Sequence, residues 1–229
     1  MQLRLDIGYN RNDPLLIGLA IDFDLGTTIN IVGDNGCGKT TFYKTLAGVI
    51  PPLKGSVPHL VTSSCSLISD RIQPPLEVSV NDLLKLIGPQ CFERLCDCSP
   101  VLADSVSLLL HSKVSALSTG QRRLLEISLV LAAGKRILLL DEAFSGLDYR
   151  SRETCLDAVR RLQGITVFNT SHNLEDVIDL GGEIFFLDAA SSQLIRYDGS
   201  RTVEKLRRFM MSIIKSNERE TAHESASSL

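Results

Sequence analysis

Three glycines, a lysine and a hydroxyl fall within the single stretch Gly33-Asp34-Asn35-Gly36-Cys37-Gly38-Lys39-Thr40. It fits the phosphate-loop pattern Gly-x-x-x-x-Gly-Lys followed by Ser or Thr. Glycines let the backbone bend until its N–H groups point inward at a phosphate, and a helix opening at Lys39 adds its positive dipole end. Lys39 then bridges phosphate oxygens, Thr40 offers its hydroxyl to Mg²⁺, and Asn35, Cys37 and Thr41 complete the cradle. A second chemical pair, Asp141-Glu142, closes the apolar run Ile137-Leu138-Leu139-Leu140. An acid at the carboxyl end of a buried strand lies where α/β sheets bind ligands. Asp141 suits Mg²⁺ held through water, and Glu142 suits orientation of an attacking water.

These groups need elements to hold them. Thr28-Ile29-Asn30-Ile31-Val32 predicts a strand running into the glycine loop, and a helix follows from Lys39 to about Val49, stopped by Pro51-Pro52. Upstream, Leu3, Leu5 and Ile7, then Leu19, Ile21 and Phe23, alternate as two half-buried antiparallel strands with a turn over Asn10 to Pro14. From about 74 to 116 the pattern turns helical. Ser79 is placed as an N-cap ahead of Val80, Leu83, Leu84 and Ile87, and Leu108-Leu109-Leu110 belongs to another helical pattern. The rhythm of strands and helices resumes after Ser118, with strands expected at Ile137–Leu140, Ile165–Phe168, Ile184–Leu187 and Leu194–Tyr197. Strand–helix alternation predicts an α/β fold with a mostly parallel sheet covered on both faces.

The remaining composition narrows the class. The chain has 229 residues, is 44% hydrophobic and 22% charged, and carries a net charge of −3. One core is expected, and a basic nucleic-acid-coating protein is disfavoured. No apolar run has the length of a membrane span, and Met1 to Asp6 alternates instead of forming a signal core, so any membrane role is expected to come through a partner. The six cysteines read as reduced thiols in a cytosol, and Cys91, Cys96 and Cys98 as small apolar residues of a helical region rather than metal ligands. Cys37 is different: Lys39 and a helix N-terminus predict a lowered thiol pKa and inhibition by alkylation. An amphipathic helix is expected over 201–215, and a polar disordered tail over 216–229.

A third motif, Leu117-Ser118-Thr119-Gly120-Gln121, brings the chain to a family. It resembles the L-S-G-G-Q signature of the ATP-binding cassette (ABC) ATPases. Ser145-Gly146-Leu147-Asp148 looks like that family's D-loop, Thr170-Ser171-His172 like its switch-histidine segment, and Tyr9 stands where the family stacks an aromatic on adenine. The resemblance runs from about Leu3 to Tyr197 and rests on the order of all these motifs. It implies a P-loop NTPase (RecA-like) core with an N-terminal antiparallel β subdomain and a small helical subdomain. ATP and Mg²⁺ are the implied cofactors. The implied site comprises Gly33, Asn35, Gly36, Cys37, Gly38, Lys39, Thr40, Thr41, Asp141, Glu142 and His172, the last steadying the γ-phosphate. Ser118, Gly120, Gln121 and Asp148 are implied to act across a head-to-tail dimer of this chain with itself or with a paralogous cassette.

Two departures accompany the resemblance. Thr119 replaces the signature's first glycine, restricting the backbone there. The family's Q-loop residue, which contacts metal and water, is either Asp70 or Gln73; the spacing favours Asp70. The implied activity is ATP hydrolysis that drives an integral-membrane permease subunit, at the cytoplasmic face of a membrane, with no nucleic acid as partner. Export is the expected direction, from a layout shared by small exporters and some importers. The alternatives are a soluble cassette acting on ribosomes or DNA, and a low-turnover ATP switch.

Overall fold

The computed structural model describes residues 1–69 and 74–227, with side chains through residue 217. Asp70 and Gln73 lie outside the described residues. Strands β1 (Gln2–Ile7) and β2 (Leu16–Asp22) form an antiparallel pair. Strand β3 (Thr28–Val32) leads into the glycine loop and helix α1 (Lys39–Leu46). A short helix α2 (His59–Ser64) precedes β4 (Cys65–Ile68). Helices α3 (Val80–Ile87), α4 (Cys91–Cys98), α5 (Pro100–Ser107) and α6 (Thr119–Ala132) follow, with a 3-10 turn at Val114–Ala116. The chain then alternates through β5 (Ile137–Asp141), α7 (Tyr149–Arg160), β6 (Thr166–Thr170), α8 (Leu174–Leu180), β7 (Glu183–Asp188) and β8 (Gln193–Arg196), and ends in α9 (Val203–Ser227).

The main sheet has the order β4-β5-β6-β3-β7-β8 and is parallel except at β7–β8. The connections β4 to β5 and β5 to β6 carry helices, as parallel neighbours require. Burial on both faces explains the unbroken apolar run in β5. Ile137 and Leu139 join the core formed with β1, β2 and α1, while Leu138 and Leu140 join the core formed with α3–α7. β7 divides in the same way: Phe185 and Leu187 face the first core, and Ile184 and Phe186 meet α9. Phe168 of β6 seats α1, with its ring 5.0 Å from Phe23 and 6.1 Å from Tyr43, both edge-on. The phosphate-loop helix is thereby fixed on the sheet from behind.

Two expectations are corrected here. Leu108–Leu110 is a turn, not a helix. Helix α5 starts on the Ser99 cap and Pro100 and is finished by Ser107. Helix α9 extends through Ser227, past the expected end at 215 and into the expected disordered tail. From Lys215 to Ser227 no Gly or Pro interrupts it, and Glu, Arg and Ala favour helix. The apolar stripe of α9 packs on the domain: Leu206 is fully buried, and Phe209, Met210, Ile213 and Ile214 join it against Val32, Val177, Ile184 and Phe186. Cys91 is a core residue of α4, as its reading as a small apolar residue of a helical region expects.

Candidate functional site

The glycine loop leaves the carboxyl end of β3, in the middle of the sheet. A Cβ on Gly33 would lie 2.8 Å from the Leu187 carbonyl oxygen, so only glycine lets the loop pass β7 that closely. Gly36 has open space around it but a φ of 80°, so there the requirement is backbone conformation alone. Lys39 is buried, and its Nζ donates to the carbonyl oxygens of Gly33 (2.7 Å) and Asp34 (2.8 Å). Its third N–H meets the Cys37 sulfur at 3.7 Å, a weak acceptor that a phosphate oxygen in the cleft can displace. Gly38 precedes α1 without a capping side chain, so the first N–H groups of that helix stay open toward the same space.

The acids arrive from the neighbouring strands. β5 and β6 pair in register up to Asp141 and Thr170. Asp141 is buried, and each carboxylate oxygen accepts a hydroxyl: Oδ1 from Thr170 at 2.9 Å, Oδ2 from Ser69 at 3.2 Å. Glu142 turns out of the strand at φ 53°, a left-handed conformation that costs a non-glycine residue about 1–2 kcal/mol. That turn brings its carboxylate to the switch segment. Glu142 Oε2 accepts the His172 backbone N–H at 3.1 Å, and Oε1 lies 3.2 Å from His172 Nε2 without forming a hydrogen bond. Burial pushes the Glu142 carboxyl above its ordinary pKa, outweighing the opposing pull of His172 and Lys39.

Tyr9, Asn35, Gly36, Gly38, Lys39, Thr40, Thr41, Asp141, Glu142 and His172 line one open cleft of about 430 Å³, which is in the range of small-ligand sites. Tyr9 stands at its mouth, 67% exposed, with its hydroxyl accepting from Thr41 Oγ1 at 3.4 Å. An exposed ring at the rim is free to stack on a planar base. Leu15, which the motifs do not include, adds an apolar contact beside it. The groups fit a nucleoside triphosphate with its Mg²⁺: a loop cation, open helix N–H groups, a threonine hydroxyl and a buried, oriented carboxylate in one cavity.

Cys37 does not behave as expected. It is 5% exposed and packs with the core under β1 and β2. Lys39 Nζ is only 3.7 Å away, yet burial dominates and pushes the thiol pKa up. We therefore expect Cys37 to resist a neutral alkylating reagent in the folded protein, reacting only after denaturation, as read by mass spectrometry of the labelled peptide. Rapid native labelling with loss of activity would reverse this.

Ser118, Gly120, Gln121 and Asp148 are not among the residues lining the cleft. Ser118 and Gln121 form a reciprocal capping box on α6, Oγ to N at 3.2 Å and Oε1 to N at 2.9 Å. Asp148 caps α7 by accepting the Ser151 N–H and hydroxyl, which holds its carboxyl below the ordinary range. The two motifs touch each other. A Cβ on Gly120 would be 3.5 Å from the Gly146 carbonyl oxygen, and one on Gly146 would be 3.7 Å from the Thr119 methyl. Thr119 is thus accommodated on the first turn of α6 beside the glycine of the 145–148 loop. The hydroxyls of Ser69 and Thr170 are the polar groups that motif reasoning missed as contacts of Asp141. Thr170 was visible only as a neighbour of His172.

The chain is similar to known proteins. The family model described as ABC transporter matches residues 16–145. The chain is 31% identical over 199 residues to the cobalt import ATP-binding protein CbiO of Salmonella typhimurium, covering 77% of this chain and 73% of that protein. It is 32% identical over 184 residues to the zinc import ATP-binding protein ZnuC of Acinetobacter baylyi, covering 77% and 70%. Among solved structures, a nucleotide-free ATP-binding cassette from an ABC transporter superposes with a TM-score of 0.72 at 19% identity, over 93% of this chain and 99% of that one. A bacterial Atm1-family ABC exporter with ATP bound gives 0.75 at 20% identity, over 95% of this chain and 42% of that one.

Proposed function

This chain belongs to the ABC transporter family, and from that premise we propose that it is the ATP-hydrolysing subunit that drives a separate membrane permease. It is an ATPase of this family, and it binds ATP. The observation that carries the fuller reading is the gathering of Lys39, Asp141, Glu142 and His172, from three separate motifs, around one cleft. Lys39 and the N–H groups of α1 hold the phosphates. Thr40 and Asp141 are the residues that would hold Mg²⁺, which supplies neutralisation of phosphate charge when bound. Glu142 orients a water and takes its proton as the water oxygen attacks the γ-phosphorus and the bond to ADP breaks. His172 keeps Glu142 in place and faces the γ-phosphate end.

The signature supports a dimer. Ser118, Gly120 and Asp148 lie outside the cleft of their own chain, so a second cassette must present them for them to meet nucleotide. ATP between the two cassettes then acts as a switch on their association. Among the described residues no helix is long and apolar enough to cross a membrane, so attachment falls to the permease, which we dock on the helical segment 74–116. Leu86 and Leu108 in that segment are 75% and 85% exposed. Import subunits and an exporter both stand among the similar proteins, so direction is read from the permease itself. The test is affinity purification of tagged Glu142→Gln protein from native cells with ATP in mild detergent. We expect a polytopic membrane protein to co-purify. Recovery with ribosomes or DNA-associated proteins instead would overturn the transporter assignment.

A further inference from the structure

We propose that Thr170 is a positioning residue whose single hydroxyl sets both acids of the site, orienting the Asp141 carboxylate and holding Glu142 in its left-handed turn. The proposal rests on the roles given above to Asp141 and Glu142. Thr170 is the last residue of β6, fully buried, and paired in register with Asp141 at the end of β5. Its Oγ1 donates its one proton to Asp141 Oδ1 at 2.9 Å. The same oxygen accepts the Glu142 N–H at 3.2 Å, and the Thr170 carbonyl oxygen shares that N–H, also at 3.2 Å. A hydroxyl is the smallest group that can donate and accept at once. Here it donates to the acid assigned to metal and accepts from the acid assigned to water.

The consequences follow from where each bond acts. The hydroxyl fixes one Asp141 oxygen and Ser69 fixes the other, so the carboxylate cannot rotate, and its remaining lone pairs keep one direction. The second bond anchors Glu142 at φ 53°, the conformation that delivers its carboxylate to His172. Ser69 touches only Asp141 among these groups; Thr170 touches both acids. Its effect therefore falls on the chemical step and on metal binding, while the loop that binds the nucleotide phosphates is untouched.

The test uses the isosteric Thr170→Val, with Thr170→Ser as the conservative variant. Losing one charge-assisted hydrogen bond and its orientation is expected to lower kcat about tenfold or more. KM for ATP should stay within about twofold, since uniform binding is not removed. A readout independent of turnover is Mn²⁺ binding in the presence of ADP, followed by electron paramagnetic resonance, where we expect several-fold weakening. Thr170→Ser should restore both kcat and Mn²⁺ binding. Wild-type kcat and Mn²⁺ binding in Thr170→Val would overturn the proposal. So would a Thr170→Ser protein as impaired as the valine variant, which also settles the case in which valine fails to fold. Glu142→Gln separates this from the underlying assignment: full turnover there removes the role of Glu142 itself, whereas an inactive Glu142→Gln beside an unimpaired Thr170→Val removes only the role of Thr170.

Discussion

Glu142→Gln is expected to bind ATP normally, to lose roughly 10²–10⁴-fold in turnover, and to accumulate as an ATP-bound dimer. Glutamine keeps the shape of the side chain, and its amide oxygen can still accept the His172 N–H that now meets Oε2 at 3.1 Å. It cannot take a proton from water. Binding is spared because Lys39 and the helix N–H groups hold the phosphates without help from Glu142. The same variant should melt at a higher temperature near neutral pH. Burial raises the folded-state pKa of Glu142 above its unfolded value. A group with a raised folded pKa stabilises the fold below its unfolded pKa and loses that contribution as pH rises through the folded pKa. Ionised Glu142 is therefore a burden at neutral pH that glutamine lacks. The gain in melting temperature should grow from acid toward neutral pH and then level off. Turnover of Glu142→Gln at the wild-type rate would remove the residue from catalysis, and a melting difference that shrank with rising pH would contradict the burial of its charge.

What could be read in advance divides by range along the chain. The phosphate loop is local: Gly33 to Thr40 carries its own conformation and chemistry, and the strand Thr28–Val32 announces it. Ile137–Leu140 is legible because a strand buried on both faces has no polar position. The edge strand Cys65–Ile68 and the short helix His59–Ser64 before it carry no comparable signal. The strand is half-buried along most of its length, and the helix buries only Val61. Helix α8 also escaped, since its seven residues follow the histidine motif directly. The thiol of Cys37 was misjudged for a tertiary reason: adjacency to Lys39 is a sequence fact, but the core that buries the sulfur comes from strands β1 and β2. Ser69, Asp141 and Thr170 meet because three strand ends lie side by side, an arrangement set by the strand order β4-β5-β6 rather than by spacing.

Lys39→Ala should fail one step earlier than Glu142→Gln, losing ATP binding itself. The ammonium lines the cleft, and its donors already organise the loop through the carbonyl oxygens of Gly33 and Asp34. Alanine removes both the charge offered to the phosphates and the clamp that keeps the loop's N–H groups facing inward. Hydrogen bonds to charged groups are worth about 1.5–3 kcal/mol each, so loss of one or two contacts predicts a drop in affinity of roughly 100-fold or more. The fold should survive, because Gly33 and Asp34 line a neighbouring pocket from which water can replace the amine. Equilibrium binding of a fluorescent ATP analogue, with the melting temperature measured alongside, separates the outcomes. Wild-type affinity would mean that the backbone N–H groups alone hold the phosphates, whereas a collapse in melting temperature would make Lys39 chiefly a structural clamp. Combined with Glu142→Gln, the alanine decides the order of events. If nucleotide must occupy the loop before two cassettes associate, the double variant stays monomeric in ATP that drives Glu142→Gln into dimers. If the double variant dimerises as readily, association does not depend on the phosphate loop.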